Sequence, residues 1–156
     1  MDHRNEFEGF FPKYANAFEL IGQLELALRW NIPTVLKSSQ ESSTWYERLR
    51  LKERRLLDLN RALGNSSEFP EQYLPFSFWR HLLSAQHYGD LWLPHLYKVF
   101  GNIENPKDFN TFTEIDKAMD SAYRLRNNLA HFNIQKLRTI DFATQRVEWL
   151  LEVMID

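Results

Sequence analysis

The sequence predicts an all-α bundle of five or six helices, and three observations carry that expectation. Apolar residues recur at intervals of three and four over 14–30, 45–63 and 112–132, the period of a helix with one buried face. The β-branched residues are scattered, and no segment alternates polar with apolar as a half-buried strand does. Pro12, Pro33, Gly64 and Gly89 stand where the periodic runs stop.

Taken in order, residues 1–13 form a lead-in closed by Pro12. A first helix follows from Tyr14 to Trp30, with Tyr14, Ala17, Phe18, Ile21, Leu24 and Leu28 on one face, and Asn31 and Pro33 end it. Glu25 falls on that apolar face, where an unpaired carboxylate is costly, so a cationic partner is expected. After the polar link Ser38 to Thr44, a second helix runs from about Trp45 to Leu63 and stops at Gly64 and Asn65. Its Arg48, Arg50, Lys52, Arg54 and Arg55 mix with Glu47, Glu53 and Asp58 at helical spacing, which suits a solvated face better than a phosphate-binding one.

Pro75 suits the first turn of a third helix through Phe78, Trp79, Leu82, Leu83 and His87 to Gly89. Leu91 to Phe100 is a shorter helix or a helical turn, in which Pro94 is tolerated only in the opening turn. The run from Phe112 to Phe132 lacks proline and glycine and forms the central helix. A last helix, about Ile140 to Met154, turns Phe142, Ala143, Val147, Leu150 and Leu151 inward. Trp79 and Trp92 are assigned to core packing rather than to base stacking.

A chain of 156 residues is most simply one domain, 1–156, with room for a full core. The net charge of −2 argues against a protein that coats nucleic acid through bulk charge, while leaving space for a small RNA site. Cysteine is absent, so thiol nucleophiles, disulfides and cysteine-based zinc sites are excluded, and a cytoplasmic location is expected. No run reaches the roughly eighteen apolar residues of a membrane span, and Met1 to Glu8 does not resemble a signal peptide. Gly-rich phosphate loops, His-Glu-x-x-His and Gly-x-Ser-x-Gly are missing, so neither a cofactor nor a metal is expected.

The stretch that attracts chemistry is Arg126-Asn127-Asn128-Leu129-Ala130-His131. On an ideal helix Arg126 falls inside the apolar stripe, between the directions of Met119 and Ala122. A guanidinium keeps its charge, so it needs an anion or an opening. Two answers compete: a structural ion pair with Glu25, or a grip on phosphate assisted by Asn127 and His131. Residues 121–140 contain Arg124, Arg126, Lys136 and Arg138 and no acid, so this end of the helix is positive in an acidic protein. Arg124, Lys136 and Arg138 are therefore candidate RNA contacts. Arg126 and His131 stand about 140° apart around the helix, an awkward grip on one phosphate unless two copies meet across a twofold axis.

Arg-Asn-x-x-x-His, late in a long helix of a small all-α protein, resembles the R-x4-6-H signature of the HEPN superfamily. The family arginine matches Arg126, its frequent polar follower Asn127, and its histidine His131. The stretch from Pro75-Phe76-Ser77-Phe78-Trp79 through Gly89, Leu96 and Tyr97 also looks like the region before this motif in the abortive-infection-like branch. The resemblance implies a HEPN-like helical bundle, a homodimer, and a metal-independent endoribonuclease of a toxin–antitoxin or antiphage defence setting. A cognate antitoxin or effector protein is an implied partner. Asn133 stands where some toxins of the superfamily carry a modified tyrosine, which argues against regulation by that route.

The expected chemistry follows from the side chains. His131 takes the proton of a ribose 2′-hydroxyl, whose oxygen attacks the adjacent phosphorus, and the 5′-oxygen leaves with a proton. Arg126 stabilises the charge of the phosphorane-like transition state, and Asn127 orients a phosphate oxygen or the imidazole. Glu25 is the expected support for Arg126. The alternative is a non-catalytic member of the fold that binds RNA, a nucleotide or a protein and regulates a partner effector.

Overall fold

The computed structural model describes residues 4–42, 44–137 and 140–155, and every regular element among them is helical. The expected all-α class therefore holds. The described residues form six α-helices: α1 (Arg4–Gln40), α2 (Glu53–Asn65), α3 (Phe76–Leu82), α4 (Phe109–Ala130), α5 (Ile134–Leu137) and α6 (Ile140–Val153). Short 3₁₀ turns occupy Pro70–Tyr73, Ala85–His87 and Leu96–Phe100, with a π turn at Tyr88–Trp92. The helix expected through His87 thus ends at Leu82, and the Leu91 to Phe100 segment is a π turn and a 3₁₀ turn around Pro94. Among the described residues no helix is long and apolar enough to cross a membrane.

The largest departure from expectation is α1. It runs for 37 residues, with Pro12 and Pro33 inside it, where a lead-in and a stop were expected. A proline in a helix interior costs about 3 kcal/mol through its missing N–H and its clash with the preceding turn. The helical period nevertheless continues past Pro33 into Val35 and Leu36, which with Ile32 just before it are buried. Full burial of each such side chain contributes about 1.5–3 kcal/mol, enough together to outweigh the break. Asn31, also expected at a helix end, is buried, and its Nδ2 donates to the Ile155 carbonyl at 3.2 Å. That bond ties the segment after α6 to the later turns of α1.

The second correction concerns residues 45–52, expected to open a long helix. Ser42 Oγ and Thr44 Oγ1 donate to the Glu47 carboxylate at 2.7 and 3.3 Å. These bonds offer the backbone a turn in place of a helix and hold the Glu47 carboxyl below its usual range. Trp45 is drawn inward, its ring centre 5.5 Å from that of Trp79, while its indole N–H donates to Glu71 at 3.2 Å. Helix α2 begins only at Glu53 and buries Leu59 and Ala62.

Helix α4 is capped by Asp108, whose side chain accepts from the Asn110 N–H. It packs on α1, α3 and α6, and α1 also packs on α6. Trp79, Trp92, Phe76, Phe78, Phe100 and Phe112 are the large side chains of the core, so Trp79 and Trp92 fill it as expected. Two residues assigned inward are not there: Phe18 and Phe142 are each 62% exposed.

Candidate functional site

The buried stripe of α4 explains where Arg126 stands. Early in the helix it follows Phe112, Ile115 and Met119, but its last members are Ala122, Leu125 and Leu129. The stripe therefore drifts around the helix as it approaches the end, and Leu125 takes the seam position expected for Arg126. Arg126 is left half-buried on the flank, with Asn127 half-buried beside it. Its long methylene stem can lie on apolar surface while the guanidinium reaches outward.

The support expected from Glu25 is not found. Glu25 Oε1 instead meets Arg29 Nη2 at 3.3 Å, one turn along its own helix. Arg29 lies four residues after Glu25, the favourable order for a helical ion pair, and it satisfies Glu25 without reaching across to α4. Arg29 also donates to the Leu74 carbonyl, so the pair serves the packing of α1 against the 70–75 segment. Glu25 is thereby removed from the site.

His131 is exposed and caps α4. The helix ends in a Schellman arrangement: Phe132 N–H donates to the Leu129 carbonyl at 3.2 Å and Asn133 N–H to Asn128 at 3.0 Å. Such a cap needs a left-handed residue, and Phe132 supplies it at φ +48°. Glycine or asparagine adopts this conformation readily, whereas a phenylalanine pays a steric cost. Contacts with α1 hold it there. The Phe132 ring lies edge-on to Tyr14 and Phe10 at centre distances of 5.2 and 6.0 Å, and Tyr14 Oη donates to the Leu129 carbonyl at 3.0 Å. The backbone carrying His131 is thus fixed from both sides. Phe132→Gly should melt above Phe132→Ala, by about 0.5–1 kcal/mol of stability, because glycine relieves the left-handed strain that alanine keeps. Thermal unfolding of the two variants checks this; a lower melting temperature for the glycine variant would mean that the cap does not form in solution.

A helix C-terminus is the unfavourable end for an anion, at about 0.3–1 kcal/mol. Here the carbonyls of Asn127, Asn128 and Leu129 already accept hydrogen bonds. A charge-assisted bond from Arg126, worth about 1.5–3 kcal/mol, exceeds the remaining penalty. Arg126 can therefore offset the penalty for an anion at this end of α4, where His131 is exposed.

The candidate RNA contacts divide. Arg124 and Lys136 line a groove between α4 and α6 together with Lys117 and Arg146, which were not singled out from the sequence. Arg126, Asn127 and His131 are not among its walls. Arg126 and Arg124 are two residues apart, about 160° around the helix, so Arg124 and Lys136 do not share a face with Arg126. Arg138 lies outside the described residues.

His81 and His87 serve the packing. His87 is buried with Nδ1 3.0 Å from Asp90, and its ring meets His81 edge-on at 5.1 Å. Burial lowers the His81 pKa, helped by His87, Arg55, Lys52 and Arg80. Unfolded His81 takes up a proton as pH falls through about 6.5, while the folded residue resists it. Stability should therefore fall on acidification below about pH 6.5, and His81→Asn should flatten that slope in melts recorded between pH 7.5 and 5. His95, whose pKa is lowered by burial and by Lys98 and Arg48, acts in the same sense. An unchanged slope in His81→Asn would show that His81 is open to water.

Comparison of the chain with protein-family models, with curated proteins and with solved structures finds no match in any of the three.

Proposed function

We propose that the protein is a metal-independent endoribonuclease that cleaves single-stranded RNA at the C-terminal end of α4. The observation that carries this reading is a half-buried arginine on the flank of α4 followed, five residues further on, by an exposed histidine on a pinned cap. His131 serves as the proton-transfer group for the 2′-hydroxyl, Arg126 stabilises the transition-state charge, and Asn127 orients the phosphate or the imidazole. The likeness of residues 126–131 to the HEPN signature points the same way and suggests a defence or toxin–antitoxin setting.

A homodimer belongs to the proposal. Arg126 and His131 project in directions about 140° apart, so a second copy completes the grip on one phosphate. Phe132, next to His131, and Phe11, which meets Phe132's neighbour Phe10, are 43% and 54% exposed and offer aromatic anchors for such a contact.

The test is incubation of the purified protein in EDTA with a single-stranded RNA and a DNA of the same sequence, the products read by mass spectrometry. RNA should be cut to 2′,3′-cyclic phosphate and 5′-hydroxyl ends while DNA stays whole. Cut DNA, or fragments with 5′-phosphates, would overturn the mechanism. An RNA that binds and is never cut would favour a binding module that regulates a partner.

A further inference from the structure

The flank of α4 turned away from Arg126 carries a second constellation. Where α4 and α6 lie side by side, a groove of ≈ 290 Å³ is walled by Lys117, Arg124, Asn128, Lys136 and Arg146. Asp120 is its one carboxylate, and that group is engaged by Arg124 Nε at 3.1 Å. The groove continues into a hollow of ≈ 360 Å³ that shares Phe142 and Arg146 and adds Trp149 and Glu114. Four cations thus face two acids in the combined groove, and with Arg124 on Asp120 and Lys117 3.9 Å from Glu114, Lys136 and Arg146 are the excess positive charge, on a chain whose net charge is −2. Positive charge is concentrated here against the trend of the whole molecule.

Phe142 makes the pattern more specific. Its ring is 62% exposed, and the Arg146 guanidinium lies 4.7 Å from its centre. Apart from that cation–π contact, worth about 0.5–1 kcal/mol, an exposed phenyl ring adds little to the fold, yet this one is set among cations along a channel. Alternating positive charge and aromatic surface is what a strand with phosphates and unpaired bases requires. A duplex keeps its bases stacked inside, and an acidic peptide has no use for the ring.

We propose that the α4–α6 groove binds a single-stranded nucleic-acid segment, with phosphates on Lys117, Arg124, Lys136 and Arg146 and a base stacked on Phe142. From Glu114 to Asn128 the groove follows α4 for about 21 Å, space for a few nucleotides. Its Asn128 end lies three residues, about 4.5 Å of rise, before His131, so a bound strand leaves the groove next to the cap. Binding in the groove does not depend on cleavage at that cap.

The probe is a fluorescently labelled 12-nucleotide single-stranded DNA of mixed sequence, which lacks the 2′-hydroxyl and stays intact. Anisotropy titrations with the full chain at 50 and 200 mM salt compare wild type with the Lys136→Ala/Arg146→Ala double variant and with Phe142→Ala. All three should melt alike, because the substituted side chains are on the surface. The double variant should bind at least tenfold more weakly and lose about 1.4 from the salt slope, since two phosphate contacts disappear. Phe142→Ala should lose roughly tenfold with its salt slope unchanged. Variants that fold normally and bind like wild type overturn the assignment, and so does polyglutamate that competes as well as the oligonucleotide. Groove-dependent binding without any RNA cleavage leaves this proposal standing and removes the nuclease. RNA cleavage in EDTA by a double variant with wild-type affinity does the reverse.

Discussion

Trp79→Ala should be among the most destabilising single substitutions in this protein, by about 3–5 kcal/mol. Trp79 has no exposed surface, and its ring stands 5.5 Å from Trp45 and 5.3 Å from Phe78. Removing it opens a cavity at the point where residues 45–52, α3 and the core meet. In a domain of this size, that loss lowers the melting temperature by about 6–20 °C. Trp79→Phe should cost much less. The indole Nε1 is buried without a protein partner, and an unsatisfied buried donor is itself unfavourable by about 1–3 kcal/mol. Phenylalanine keeps most of the packing and removes that donor. Melting curves of the two variants check both expectations; equal losses would indicate that the indole N–H is satisfied, for example by water.

The second large effect concerns turnover. His131→Ala should slow RNA cleavage by about 10²- to 10⁴-fold while leaving fold and RNA affinity nearly unchanged. The side chain is exposed, so its loss should move stability by no more than about 0.5 kcal/mol. Arg126→Ala should lower the rate by about 10²- to 10³-fold and weaken RNA binding as well. It should not unfold the protein, because Glu25 relies on Arg29 and would not be stranded as a buried charge. Cleavage rate, RNA affinity and melting temperature measured on the same samples separate the two roles. An Arg126→Ala protein that melts far below wild type would make Arg126 a structural residue.

The periodic runs make the helices legible in the sequence; the central one contains Arg126 and Asn127, while His131 stands just past its end as the cap. The ends were less legible, because they are set by tertiary burial. Pro33 is a strong local stop, yet Ile32, Val35 and Leu36 draw the chain onward. Trp45 fits a helical period, but a core position and the Ser42–Thr44–Glu47 turn claim it first. Ideal helical phasing placed Arg126 in the seam because it took the stripe as straight; the drift to Leu125 and Leu129 appears only when the neighbouring helices are in place. For Glu25 the sequence offers a nearer partner than Arg126, namely Arg29 four residues on, and the ion pair forms there. The groove was half visible: Lys117, Arg124 and Asn128 share one face of α4, and Phe142 and Arg146 are four apart on α6. Phe142 was turned inward because its residue type outweighed its position. The left-handed Phe132 left no signal, since phenylalanine is not a residue that announces a cap.

The most direct measurement is single-turnover cleavage of a labelled single-stranded RNA in EDTA, wild type beside a His131→Ala protein that melts at the same temperature. Wild type should produce 2′,3′-cyclic phosphate ends, and the variant should be at least 10²-fold slower at equal RNA occupancy. Equal rates, or no cleavage by wild type at saturating RNA, would contradict the proposed function.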